Sequence, residues 1–206
     1  MAGQYDADWS QPNSASTVCE ACAGGQYAAA GSTECVTCAA GQIDDDTDPS
    51  TPCASCSNGY YAAAGTYGAA ACIACAAGQY DHDTDAGTPC TISPVGYYTP
   101  NQAMFMSVLC QAGQYSDAGS VQCTSCNPGQ YDHDSDPSTV CQDCDAGTVS
   151  ASNGATSCST CATGKYAALG SSACIDCPAG RYDDDSSAST ACVACDAGTY
   201  SSAGAT

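Results

Sequence analysis

The feature that most constrains this chain is a recurring pair of cysteines. C-x-x-C occurs at Cys19/Cys22, Cys35/Cys38, Cys53/Cys56, Cys72/Cys75, Cys123/Cys126, Cys141/Cys144, Cys158/Cys161, Cys174/Cys177 and Cys192/Cys195. Three residues beyond each boundary stands a glycine: Gly25, Gly41, Gly59, Gly78, Gly96, Gly113, Gly129, Gly147, Gly164, Gly180 and Gly198, with Gly3 opening the series. Two residues past the glycine comes Tyr in ten of twelve units, with Ile43 and Val149 in the other two. The unit is C-x-x-G-x-Y, a short polar loop, then C-x-x. Such self-similarity at a short period marks a tandem array. Residues 1–206 read as about twelve such modules, with the sequence starting and stopping inside a module at both ends.

Composition says what the cysteines must do. Leu, Ile, Val and Phe number only 15 of 206 residues, far below the roughly 20% under which a chain usually stays disordered. No conventional core is available, so disulfides or metal must replace it. With 20 cysteines and so little apolar bulk, the expected compartment is oxidising, extracellular or at the cell surface. The net charge of −20, with two basic residues, excludes nucleic acid as a partner, since nothing neutralises phosphates. No apolar run approaches a membrane span, so no direct membrane insertion is expected.

Two module types occur, the acidic one at places one, three, five, eight and eleven of twelve. The acidic type carries Asp44, Asp46 and Asp48, or Asp81, Asp83 and Asp85, or Asp132, Asp134 and Asp136; Asp6-Ala7-Asp8 and Asp183-Asp184-Asp185 are weaker copies. The plain type carries Ala, Ser and a second glycine, as in Ala28-Ala29-Ala30-Gly31. Each loop has turn signals and no helical periodicity. Two-residue strands are expected around each Tyr, and a positive φ at the glycine.

One irregularity tests the wiring. The fifth boundary reads Cys90-Thr-Ile-Ser93 and the next Ser107-Val-Leu-Cys110, so two cysteines are missing, at the two ends of one loop. Pairing within each C-x-x-C would orphan Cys90 and Cys110. A chained scheme loses one bond cleanly: Cys22–Cys35, Cys38–Cys53, Cys56–Cys72, Cys75–Cys90, Cys110–Cys123, Cys126–Cys141, Cys144–Cys158, Cys161–Cys174 and Cys177–Cys192, leaving Cys19 and Cys195. A nested scheme, Cys19–Cys38 around Cys22–Cys35, also passes, as do four-cysteine zinc sites. Both of these make alternate loops inequivalent, whereas every loop keeps its Gly and Tyr; the chained scheme is the one expected.

The pattern Cys22-Ala-Gly-Gly25-Gln-Tyr27 to Cys35 resembles the ephrin-receptor-like cysteine-rich repeats of large eukaryotic surface proteins, including algal and protist ones. It is similar to the A-type module of tumour necrosis factor receptors. The resemblance implies small disulfide-rich tandem repeats with little regular secondary structure. It differs in lacking modules with two crossed disulfides and in carrying the D-x-D-x-D insert.

The expected architecture is an elongated rod of short strands and turns, with each module touching only its neighbours. The expected function is structural: a stapled segment of an extracellular fibre, stalk or cell-surface or flagellar appendage, whose partners are other copies or other structural proteins. The alternative is a receptor ectodomain for ligand binding or calcium-dependent adhesion. No enzyme is expected: His82 and His133 sit in acidic runs, and no phosphate-cradling or redox context accompanies them. In an extended run alternate Asp side chains share a face, which makes the three full acidic runs candidate calcium ligands. No N-x-S/T sequon occurs, while Ser93-Pro94 and Thr99-Pro100 are candidate acceptors for O-linked glycans. Met104-Phe105-Met106 with Val108 and Leu109 is expected to pack locally where the disulfide is missing, or to dock a partner.

Overall fold

Glycine, one aromatic and one small residue per loop leave little to build a helix from, and none forms among the described residues. The structure, a computed structural model, describes the backbone of residues 4–5 and all of residues 19–69 and 71–206; Asp6-Ala7-Asp8 lies outside them. Among the described residues regular structure consists of 23 strands, all two residues long except Gln42–Asp44, in eleven small sheets.

Nearly every sheet is the same clasp. The dipeptide ending in the module's Tyr pairs antiparallel with the dipeptide between the next two cysteines, as Gln26↔Thr37 and Tyr27↔Val36, or Gln130↔Asp143 and Tyr131↔Gln142. The second cysteine then donates its amide to the loop glycine: Cys38 to Gly25 and Cys126 to Gly113, each 2.9 Å. Side chains extend the pairing across the strands. Gln130 donates to Asp143 at 3.0 Å, and Lys165 pairs with Asp176 at 2.5 Å. A two-residue ladder is marginal in water, and the disulfide holds its ends. The one three-stranded sheet adds Thr66–Tyr67 in parallel to Gln42–Asp44.

The structure joins Cys22 to Cys35, Cys38 to Cys53, and so on along the chain to Cys177–Cys192, nine bonds with Cα–Cα separations of 5.5–5.8 Å. Cys19 and Cys195 are free.

The chain divides into two compact halves, residues 1–93 with 99–107, and residues 94–98 with 108–206. The buried row in the first half runs through Ala28, Cys38, Asp44, Ala62, Cys75, Asp81, Ser93 and Thr99. In the second it runs through Cys110, Ser116, Cys126, Asp132, Cys144, Ser150, Cys161, Ala167, Cys177 and Asp183. Three positions therefore supply most of the interior: the second cysteine of most boundaries, or Ser93 in its place, the module glycine, and the residue after the Tyr.

Two expectations are corrected. Modules do not touch only their neighbours. A Cβ on Gly113, which sits at φ 82°, would stand 2.1 Å from the carbonyl oxygen of Gly154, two modules on. The equivalent atom on Gly147 would stand 2.8 Å from the amide nitrogen of Ser189. The recurring glycine is thus required twice, by its backbone angle and by this close approach. The apolar cluster does not provide local packing either: Phe105 is 48%, Met106 56% and Leu109 53% exposed. The interior beside it is filled by Thr99 and Ser93, both fully buried, because the post-Tyr and second-cysteine positions point inward and the cluster lies elsewhere in the loop.

Candidate functional site

The acidic loops are the chemistry-bearing feature of the array, and their construction begins at the residue after the Tyr. In plain modules the carbonyl of that residue accepts the amide of the preceding module's glycine: Gly41 donates to Ala62 at 2.9 Å and Gly147 to Ala167 at 2.8 Å. In acidic modules the carboxylate takes over. Gly25 donates to Asp44 at 3.1 Å, Gly59 to Asp81 at 3.0 Å, Gly113 to Asp132 at 2.9 Å and Gly164 to Asp183 at 3.1 Å. All four carboxylates are buried, so a buried amide keeps its acceptor whichever residue stands there.

The remaining Asp residues close the loop on itself. Asp46 accepts the Asp48 amide at 2.9 Å and the Thr51 hydroxyl at 3.0 Å, and Asp48 accepts the Ser50 amide at 2.9 Å. Asp83 accepts from Asp85 at 3.1 Å and Thr88 at 2.9 Å, and Asp85 from Gly87 at 2.9 Å. Asp134 accepts from Asp136 and Thr139, each at 3.0 Å, and Asp136 from Ser138 at 2.9 Å. Asp185 repeats the pattern with Ser187 at 2.9 Å and Thr190 at 3.0 Å. These are Asx turns, in which a short carboxylate satisfies the amide two residues on.

The hydrogen bonds leave their mark on the acidities. The Asp85, Asp136 and Ser187 amides hold Asp83, Asp134 and Asp185 below the usual carboxylate pKa. The hydroxyl and amide of Ser50 do the same for Asp48.

The premise that alternate Asp side chains share one exposed face does not hold. Thr47, Thr84 and Ser135 have φ of 58–60°, a left-handed turn that breaks the extended run. The first Asp of each run faces inward, while the second and third serve loop amides. Among the described residues no group of three or more His, Cys, Asp or Glu stands together to hold a metal ion. His82 and His133 are exposed, with Nε2 3.6 Å from Asp83 and 3.4 Å from Asp134. Ser93 and Thr99, expected as glycan acceptors, are fully buried and closed to modification in the folded protein.

Sequence reasoning missed the post-Tyr position. Its signal is the absence of bulk: Ala28, Asp44, Ala62, Asp81, Thr99, Ser116, Asp132, Ser150, Ala167 and Asp183 occupy it, and all of them are buried.

No curated protein matches the chain. The family model described as tyrosine-protein kinase ephrin type A/B receptor-like matches residues 113–161 and 164–206. Each match begins on the glycine of a module, Gly113 or Gly164. Repeats of this family are non-catalytic. Over those residues the chain is similar to ephrin-receptor-like cysteine-rich repeats, and the rest of the described chain follows the same clasp-and-staple design.

Proposed function

We propose that this chain is a stretch of an extracellular structural protein, a repeat array that spaces or stiffens a fibre, stalk or surface appendage. The observation that carries the reading is the double linkage of the modules. Between Cys22 and Cys192 all but one are closed by a disulfide, and the glycine amide of one is handed to the next. The interior is spent on these links, through cysteines and small residues. Its partners in this reading are further copies or other structural proteins. The family's receptor name favours a second reading, a ligand-binding ectodomain.

Antibody raised against oxidised protein and applied to intact, unpermeabilised cells that express it separates these readings. Label extending along an appendage supports the structural one, and label confined to the cell body supports the receptor. Label only after permeabilisation contradicts both. Small-angle scattering tests the rod expected from the tandem sequence, against the ~17 Å radius of gyration of a compact chain of this length.

The proposal needs no cation, because the acidic loops are closed by their own amides and hydroxyls. Millimolar calcium is expected to leave the unfolding midpoint unchanged. A calcium-dependent rise, lost in an Asp46→Asn, Asp83→Asn, Asp134→Asn triple, would give those loops the cation role expected from the sequence.

A further inference from the structure

The disulfide arrangement fixes how this chain can respond to a pull along its length. Within a bonded loop, 13 to 16 residues of chain are bypassed by a Cα–Cα distance of 5.5–5.8 Å. Such a loop cannot lengthen while its disulfide is intact. From Cys22 to Cys192 the bonded loops follow one another with two residues between them, except once. Between Cys90 and Cys110 the chain runs without a bypass. We infer that residues 91–109 are an extensible link, the one place between Cys22 and Cys192 where the oxidised array can yield to tension and recoil.

No disulfide closes this stretch, and hydrogen bonds tie it into the fold. Tyr97 and Tyr98 pair with Leu109 and Val108. Ala103 donates to Cys75 at 2.9 Å, and Gly78 donates to Thr99 at 2.9 Å. The Met104 carbonyl accepts the Asp81 amide at 2.9 Å. The buried Thr99 hydroxyl has no hydrogen-bond partner, and Phe105 and Met106 are exposed, so little buried surface resists opening. Each of these bonds can break and re-form without redox chemistry. The twenty peptide steps from Cys90 to Cys110 span up to about 70 Å when extended. The inference rests on the disulfide arrangement and not on where the protein works.

Single-molecule force spectroscopy tests it, with oxidised chains held at both termini. The segments outside Cys22 and Cys192 lengthen too, so the assignment comes from variants. Ser93 and Ser107 stand where the missing bond would be, 14 residues apart, a spacing that Cys144–Cys158 already uses. A Ser93→Cys, Ser107→Cys double variant in which that bond has formed should lose about 40 Å of extension relative to the parent. A ten-residue Gly-Ser insert after Asn101 should add about 35 Å, whereas the same insert after Ala118, inside the Cys110–Cys123 loop, should add nothing. Equal gains from the two inserts, or unchanged extension in the bonded double variant, would overturn the link.

Discussion

Consecutive modules, one closed by Cys75–Cys90 and the next running bare from Ser93 to Ser107, share the backbone clasp although only the first has a disulfide. Both make the clasp: Gln79↔Ile92 and Tyr80↔Thr91 in the first, Tyr97↔Leu109 and Tyr98↔Val108 in the second. Both close it with the same backbone bond, Ser93 to Gly78 and Cys110 to Gly96, each 2.9 Å. Both bury the residue after the Tyr, Asp81 or Thr99. The module's shape is therefore specified by its glycine, its Tyr dipeptide and one small inward residue. The disulfide stabilises that shape by restricting the unfolded chain and does not define it.

The largest effect on this comparison should come from converting a stapled module into a bare one. Cys126→Ser with Cys141→Ser opens a loop of 15 residues and should cost about 3 kcal/mol of stability in denaturant titration, while far-ultraviolet spectra stay close to the parent's. Loss of the fold across the array would mean that the staple specifies the module after all. The converse change, Ser93→Cys with Ser107→Cys, should add somewhat less, about 2–3 kcal/mol, since a new bond must fit an existing geometry.

The acidic and plain modules offer a second contrast. Asp132 accepts the buried Gly113 amide at 2.9 Å and the Ser135 amide at 2.8 Å. Asp132→Ala orphans both donors and should cost about 1–3 kcal/mol; Asp132→Asn keeps an acceptor and should cost less. Ala167, whose carbonyl accepts Gly147, shows that Ala is harmless where the main chain serves. If Asp132→Ala and Asp132→Asn destabilise equally, the carboxylate is not the acceptor that holds the two modules together.

The smallest effect is on pH dependence. Asp83, Asp134 and Asp185 have lowered pKa values because loop amides donate to them. A lowered folded pKa contributes stability that is complete above the ordinary carboxylate value of 3.8 and is lost as pH falls through the folded value. These groups are exposed, so the effect is slight. Acid titration should show a small loss beginning below pH ~4, absent in an Asp83→Asn, Asp134→Asn, Asp185→Asn triple.

Much of this was legible because covalent spacing is linear information. The missing pair at Ser93 and Ser107 constrained the wiring, and the Gly–x–Tyr period located the clasps. What stayed hidden depends on contacts between modules, for which a single repeat carries no signal. The acidic run reads as an alternating strand until the left-handed residue at Thr84 or Ser135 is seen. The inward turn of Asp81 and Asp132 follows from the position of the preceding module's glycine, Gly59 or Gly113. The cluster around Phe105 was misjudged for a related reason: in an array whose buried positions are mostly glycine, cysteine and short side chains, most of the apolar bulk lies at the surface.

The most direct test of the account is a single chemical cleavage. The chain has three methionines, Met1, Met104 and Met106, and the last two lie within the bare stretch. Cyanogen bromide in acid cuts there and leaves disulfides intact. With the bonds of the structure, no disulfide crosses residues 91–109. The oxidised protein should then fall into two fragments of similar size on a gel run without reductant, with Cys19 and Cys195 as the only thiols open to alkylation. A single band that separates only on reduction would place a bond across the cut, as Cys90–Cys110 of the nested scheme would, and would contradict both the wiring and the link.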